Sequence, residues 1–250
     1  MLSLTLALVL SATNPPPVEA WANKACPPPK KEAESNVEFK YQQDQRVECL
    51  KKAMNKAIDK LIVPMKKKDP AAFKQWMALQ ADYNRWVADA CAAVEEAYWT
   101  DPATGERSMG TGYGVAEMQC RQQQYAWRGL QADAWARNDW QAVSKAMEEY
   151  AKVASQRQEQ LRTYRDQAQA AAARAPAKAE PSDTPTQKLT QSDWKDYNER
   201  LERVSSAPPT LAERQCALVP KAPTGCAESF RASLLWHLDF SEVLSGQGLP

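Results

Sequence analysis

The chain has one histidine, four phenylalanines and eight glycines in 250 residues, and its 32 Lys plus Arg nearly cancel its 31 Asp plus Glu. Each scarcity narrows the possibilities. Without a net charge there is no overall field to draw in nucleic acid or an anionic membrane, so a nucleic-acid partner is not expected. The one histidine, His237, sits in "LLWHLDF" on a predicted helix, with Asp239 two residues on and therefore on another face. No nucleophile signature accompanies it, which leaves a general base without a substrate-activating partner. Zinc sites use short Cys-x₂₋₄-Cys or Cys/His pairs, and neither spacing occurs, so no metal and no cofactor is expected. With so few phenylalanines, the core of the chain must lean on its nine Trp and eight Tyr.

What is present is a set of helical patterns with almost no strand signal. Val47, Leu50, Met54, Ile58 and Leu61 recur every three or four residues and predict a helix over about 43–63. Pro64 and the basic run Lys66 to Lys68, read as a solvated turn, end it. Asp69-Pro70 predicts an N-cap with proline at the first helical position, opening a helix to about Trp99 with Phe73, Trp76, Met77, Tyr83, Val87, Ala90, Val94 and Tyr98 as its stripe. A third helix is expected from about Val115, and a cap at Asn138 or Asp139 begins a long helix carrying Trp140, Val143, Met147, Tyr150, Leu161 and Tyr164. An Ala/Pro-rich stretch follows. Thr190 or Ser192 then caps a helix with Trp194, Tyr197, Leu201 and Val204, a proline-broken loop comes next, and a last helix spans about 227–244.

The compartment is read from the N-terminus and the cysteines. Leu2 to Ala12 is an uncharged apolar run of signal-peptide length, and Ala20-Trp21-Ala22 offers a small-x-small cleavage pattern. Export to the periplasm or the medium is therefore expected, and an oxidising compartment favours disulfides. Six cysteines allow 15 pairings. Their order along the chain suggests consecutive pairs, Cys26 with Cys49, Cys91 with Cys120 and Cys216 with Cys226.

Together these patterns predict an all-α, disulfide-stapled helical bundle with a long helix and a small C-terminal helical hairpin. The expected divisions are a leader over 1–22, a helical domain over 23–138, the long helix over 139–175, an Ala/Pro linker over 176–188 and the hairpin over 189–250.

Three of the eight glycines fall within Gly110 to Gly114, in "GTGYG", which marks backbone needing positive φ or close approach. The stretch lies before a helix as a phosphate-cradling loop does, but no strand is predicted before it and no Lys-Ser/Thr follows. The paired acids Glu95-Glu96 and Glu148-Glu149 read as solvated helix faces, not as the two spaced carboxylates of a glycosidase. An enzyme is not expected.

Cys26, Cys49, Leu50, Asn55, Asp59, Leu61, "LQADYNRWVADAC" and "CRQQQYAWRGL" together resemble the lysozyme inhibitor LprI-like N-terminal domain, an exported bacterial helical family, over about residues 26–139. That family runs a cysteine-bearing helix, a Q-x-x-W-x₇-C helix and a C-x₇-R helix in succession. Gln80, Cys91, Cys120 and Arg128 stand at the matching positions, whereas Tyr83 replaces the tryptophan and Val87 an arginine. The resemblance implies a binding protein whose partner is another protein, lysozyme in the named case, acting by occlusion of its cleft. Such clefts carry two carboxylates, so a cationic or hydrogen-bonding loop is a suitable plug. The segment 106–114, with Arg107, Ser108, Thr111 and Tyr113, is the candidate, held in shape by a Cys91–Cys120 bridge. The alternative is a structural protein of the cell envelope that assembles through the long helix and the hairpin.

Overall fold

A computed structural model describes residues 16–244 apart from 109, 138, 140, 179–185, 220, 221, 223 and 241–243. The apolar run Leu2–Ala12, along with Asn138 and Trp140, thus lies outside the described residues. The elements are α1 Pro16–Ala25, α2 Asn36–Ile62, α3 Met65–Lys68, α4 Pro70–Trp99, β1 Thr100–Asp101, β2 Glu106–Ser108, α5 Val115–Arg137, α6 Gln141–Arg174, β3 Thr186–Lys188, α7 Gln191–Leu218 and α8 Cys226–Trp236. The all-α, disulfide-stapled bundle is what forms. No helix among the described residues is long and apolar enough to cross a membrane.

Local chemistry sets the helix ends. Asp69 caps α4 by accepting from the Ala72 N–H at 2.9 Å, with Pro70 behind it. Helix α2 starts seven positions earlier than its apolar stripe predicts, because Ser35 accepts from the Glu38 N–H at 3.1 Å and caps a first turn that lies outside the stripe. Thr190 and Asp193 form a reciprocal capping box at the start of α7. The expected proline-broken loop is helical in its first part, since α7 runs through Pro208 and Pro209 to Leu218. Pro208 has no N–H to serve the Val204 carbonyl, and the Trp86 indole N–H takes that acceptor instead, at 3.1 Å. A tertiary hydrogen bond thereby satisfies the carbonyl that Pro208 leaves without an intrahelical partner.

The three disulfides are Cys26–Cys49, Cys91–Cys120 and Cys216–Cys226, the consecutive pairing. Such bridges persist in an oxidising compartment. One continuous core runs through the helices, from Val18 in α1 to Leu235 in α8. The C-terminal helices are part of it: the Tyr197 hydroxyl donates to the Ala93 carbonyl of α4 at 3.0 Å, and the Trp127 indole of α5 donates to Ser233 of α8 at 3.0 Å. Val143, Met147, Tyr150, Leu161 and Tyr164 of α6 are buried in the same core, so the apolar stripe of the long helix is used within the chain.

Three expectations change. The boundary drawn at residue 22 runs through α1, whose Val18 and Ala22 are buried and whose Trp21 indole donates to Asp133 at 2.8 Å. The Trp21 ring lies so close to α5 that a Cβ on Gly129 would meet it at 2.1 Å. Met77, placed in the core by periodicity, is exposed on α4. Finally, the end of the Ala/Pro stretch is a strand: β3 pairs antiparallel with β2, which pairs antiparallel with β1, giving a small sheet in the order β1-β2-β3. Two- and three-residue strands carry too little alternation to be seen in the sequence.

Candidate functional site

The sheet caps one end of the bundle, where α4 finishes and α5 and α7 begin. Trp99, the last residue of α4, lays its ring against the backbone of the glycine-rich loop. A Cβ on Gly110 would approach that ring to 2.9 Å, and Gly114 adopts φ +92° at the entry to α5. These glycines are there for close approach and for left-handed backbone.

Glu95 organises the same loop from below. It is 2% exposed, and its carboxylate accepts from the Gly114 N–H, from the Glu117 N–H at 2.8 Å and from the Trp99 indole at 2.6 Å. The N-terminus of α5 is an anion site, and a side chain of the protein itself supplies the anion. This explains why "GTGYG" resembles a phosphate loop: short strand β2 does precede it, but Glu95 fills the cradle. Glu96 is buried too; it accepts from Thr100 Oγ1 at 3.3 Å and pairs with Arg107. Reading Glu95-Glu96 as a solvated face is therefore corrected. The signal lay in their neighbours, since Ala92, Ala93, Val94, Ala97, Tyr98 and Trp99 make the end of α4 apolar on all sides.

The sequence-predicted contact residues separate into two groups. Arg107 lies in β2, its side chain is 24% exposed, and its guanidinium is committed to Glu96. Ser108 is half-buried in the same strand. Neither projects as a cationic plug does. Thr111 is exposed at the loop tip, where its hydroxyl accepts from Asn36 Nδ2 at 3.0 Å, and Tyr113 is half-buried against Trp99 with ring centroids 6.0 Å apart. The Asn36 contact joins the loop to the start of α2, where Val37 in the first turn is 80% and Tyr41 in the second 64% exposed. Spaced four apart, they share a face. Periodicity arguments pass over residues of this kind because they precede the apolar stripe.

Beside this surface a groove of about 360 Å³ runs between α4, α5 and α7, lined by Glu95, Glu96, Glu117, Asp193 and Asp196 together with Arg107, Arg200, Tyr113 and Tyr197. Partial burial pushes Asp193 up, but hydrogen bonds from the Thr190 N–H and hydroxyl and the charge of Arg107 hold its carboxyl below the ordinary range. Burial drives the Tyr197 phenol well above its usual range.

The residues that carry the family resemblance meet away from this surface, inside the bundle. Arg128 is 1% exposed; its Nε donates to Gln80 Oε1 at 2.8 Å and its Nη1 to Gln215 Oε1 at 2.6 Å. Its guanidinium lies 4.8 Å from the Tyr83 ring, 5.7 Å from Trp135 and 5.8 Å from Trp76. Aromatic faces and amide oxygens replace a carboxylate partner. Burial lowers the Arg128 pKa to about 10, against the raising influence of Tyr83. The Gln80, Tyr83 and Arg128 pattern thus encodes a buried knot between α4, α5 and α7, a few turns from the Cys91–Cys120 bridge.

His237 is buried as well, with Nδ1 3.0 Å from Gln123 Oε1 and its ring 5.8 Å from that of Tyr150. Burial and the neighbouring Arg157 charge push its pKa down to about 3, while Asp239 pairs with Arg157. No family model, curated protein or solved structure matches the chain.

Proposed function

We propose that the protein is an exported binding protein that engages a protein partner through the sheet end of its bundle. The observation that carries this reading is the pairing of Val37 and Tyr41, highly exposed on successive turns of α2, with Thr111 on a loop tied down by Glu95, Trp99 and the Cys91–Cys120 bridge. Exposed apolar and aromatic groups on rigid backbone lose little entropy on association, and aromatic residues supply much of the energy at interfaces. Three disulfides support export, as they suit an oxidising compartment.

Lysozyme is the partner implied by the family resemblance. Since Arg107 is held by Glu96, the contact proposed is not a cationic plug but a face made by Val37, Tyr41 and Thr111. Occlusion then means covering the cleft rather than filling it.

Titration of the oxidised protein against c-type and g-type lysozymes tests this. Inhibition is expected near equimolar ratio, with Tyr41→Asp weakening it at least tenfold at unchanged stability. No inhibition at tenfold excess removes lysozyme as the partner. Inhibition indifferent to Tyr41→Asp and to Thr111→Lys removes the sheet end as the contact.

A further inference from the structure

At the opposite end of α4 a second pocket, of about 280 Å³, opens between the end of α2, α3 and the end of α5. Its walls are apolar, formed by Leu61, Met65, Trp76 and Trp135, and its rim carries Lys60 and Lys68. Val63 and Met77, 56% and 48% exposed, adjoin wall residues Pro64 and Trp76 in the chain. The basic run read from sequence as a solvated turn therefore borders an apolar hole.

Charge at this corner is unbalanced. Two carboxylates, Asp69, which also lines the pocket and accepts from the Ala72 N–H, and Asp133, which accepts the Trp21 indole at 2.8 Å and pairs with Lys60 at 3.6 Å, face the four lysines Lys60 and Lys66 to Lys68. Lys68 makes no ion pair among the described residues, and Lys66 lies 6.0 Å from the centre of the Phe73 ring. The volume lies just below the usual range of ligand pockets, roughly 300–1,000 Å³, which suits one narrow chain rather than a two-chain lipid.

We propose that this pocket binds a single-chain anionic amphiphile of the fatty-acid class, the alkyl chain against Leu61, Met65, Trp76 and Trp135 and the carboxylate between Lys60 and Lys68. Apolar walls favour the chain through burial, and the two ammonium groups select the sign of the head.

Calorimetric titration of the full oxidised chain with dodecanoate, below its micelle concentration, tests the assignment. One saturable site is expected, with dodecyltrimethylammonium at least tenfold weaker. The double variant Lys60→Glu/Lys68→Glu should bind dodecanoate at least tenfold more weakly with unaltered circular dichroism, and Met65→Asp should do the same from the wall. The Trp76 indole proton, assigned through Trp76→Phe, should shift on binding. Absence of saturable binding, equal affinity for the two head groups or indifference to the lysine reversal would each overturn the proposal. So would binding to phosphatidylglycerol vesicles without binding to the monomer, which would make the corner a bilayer contact.

Discussion

The two ends of α4 both carry runs of like charge, Glu95-Glu96 at the sheet and Lys66 to Lys68 at the opposite corner, yet they use them in opposite ways. At the sheet the carboxylates are buried and fully employed: Glu95 holds the start of α5 and the Trp99 indole, and Glu96 holds Arg107. At the corner the lysines remain exposed around an apolar pocket. Charge at the first end builds structure and makes a rigid face. At the second it is left available to a ligand. Burial decides the difference, since a charged group taken out of water must be matched at once, whereas a solvated one is stable unmatched.

The largest expected contrast comes from removing the carboxylate at the sheet. Glu95→Ala strands three donors, each costing about 1–3 kcal/mol when buried, so a loss on the order of 4 kcal/mol is expected in urea unfolding. A loss under about 1 kcal/mol would make this end energetically like the other. Next comes the bridge beneath the loop. Replacing Cys91 and Cys120 by Ala should cost about 3.5 kcal/mol, against about 2.7 kcal/mol for the shorter Cys216–Cys226 loop, by loop-closure entropy. Equal losses would show that loop length does not set the difference.

Between the ends, His237 governs mild acid. Its folded pKa, about 3, lies below the ordinary 6.5, so its contribution is fully present above about pH 6.5 and is lost as pH falls toward about 3. From pH 7 to pH 5 that amounts to about 2 kcal/mol, which His237→Asn should remove from the slope of unfolding free energy against pH. A variant with the wild-type slope would contradict the assignment of that acid sensitivity to His237. The smallest effect belongs to the corner. Lys60→Glu/Lys68→Glu should change stability by no more than about 1 kcal/mol, because an exposed ion pair such as Lys60–Asp133 contributes little and Lys68 makes none among the described residues.

Much of the framework was legible in the sequence because it rests on local chemistry. The Asp69-Pro70 start of α4 and the Val115 start of α5 follow from patterns a few residues wide, and the consecutive cysteine pairs follow from the order of the cysteines along the chain. What was not legible depends on contacts between distant segments. Trp86 takes the Val204 carbonyl that Pro208 leaves open from 118 positions away in sequence, and no local rule anticipates a helix through Pro208-Pro209. Strand β3 forms only because β2 is beside it. The candidate loop was placed correctly as a glycine-constrained turn, whereas the commitment of Arg107 to Glu96 required knowing that Glu96 is buried. Val37 and Tyr41 went unremarked because amphipathic analysis looks for the face that is hidden.

The claim that the sheet end is held in one shape by its own buried carboxylate is tested most directly by amide hydrogen exchange at Gly114 and Glu117. Both amides should exchange roughly a thousandfold more slowly than in an unstructured peptide, and Glu95→Ala should remove that protection. Exchange of both in the unaltered protein at the rate of an unstructured peptide would contradict it.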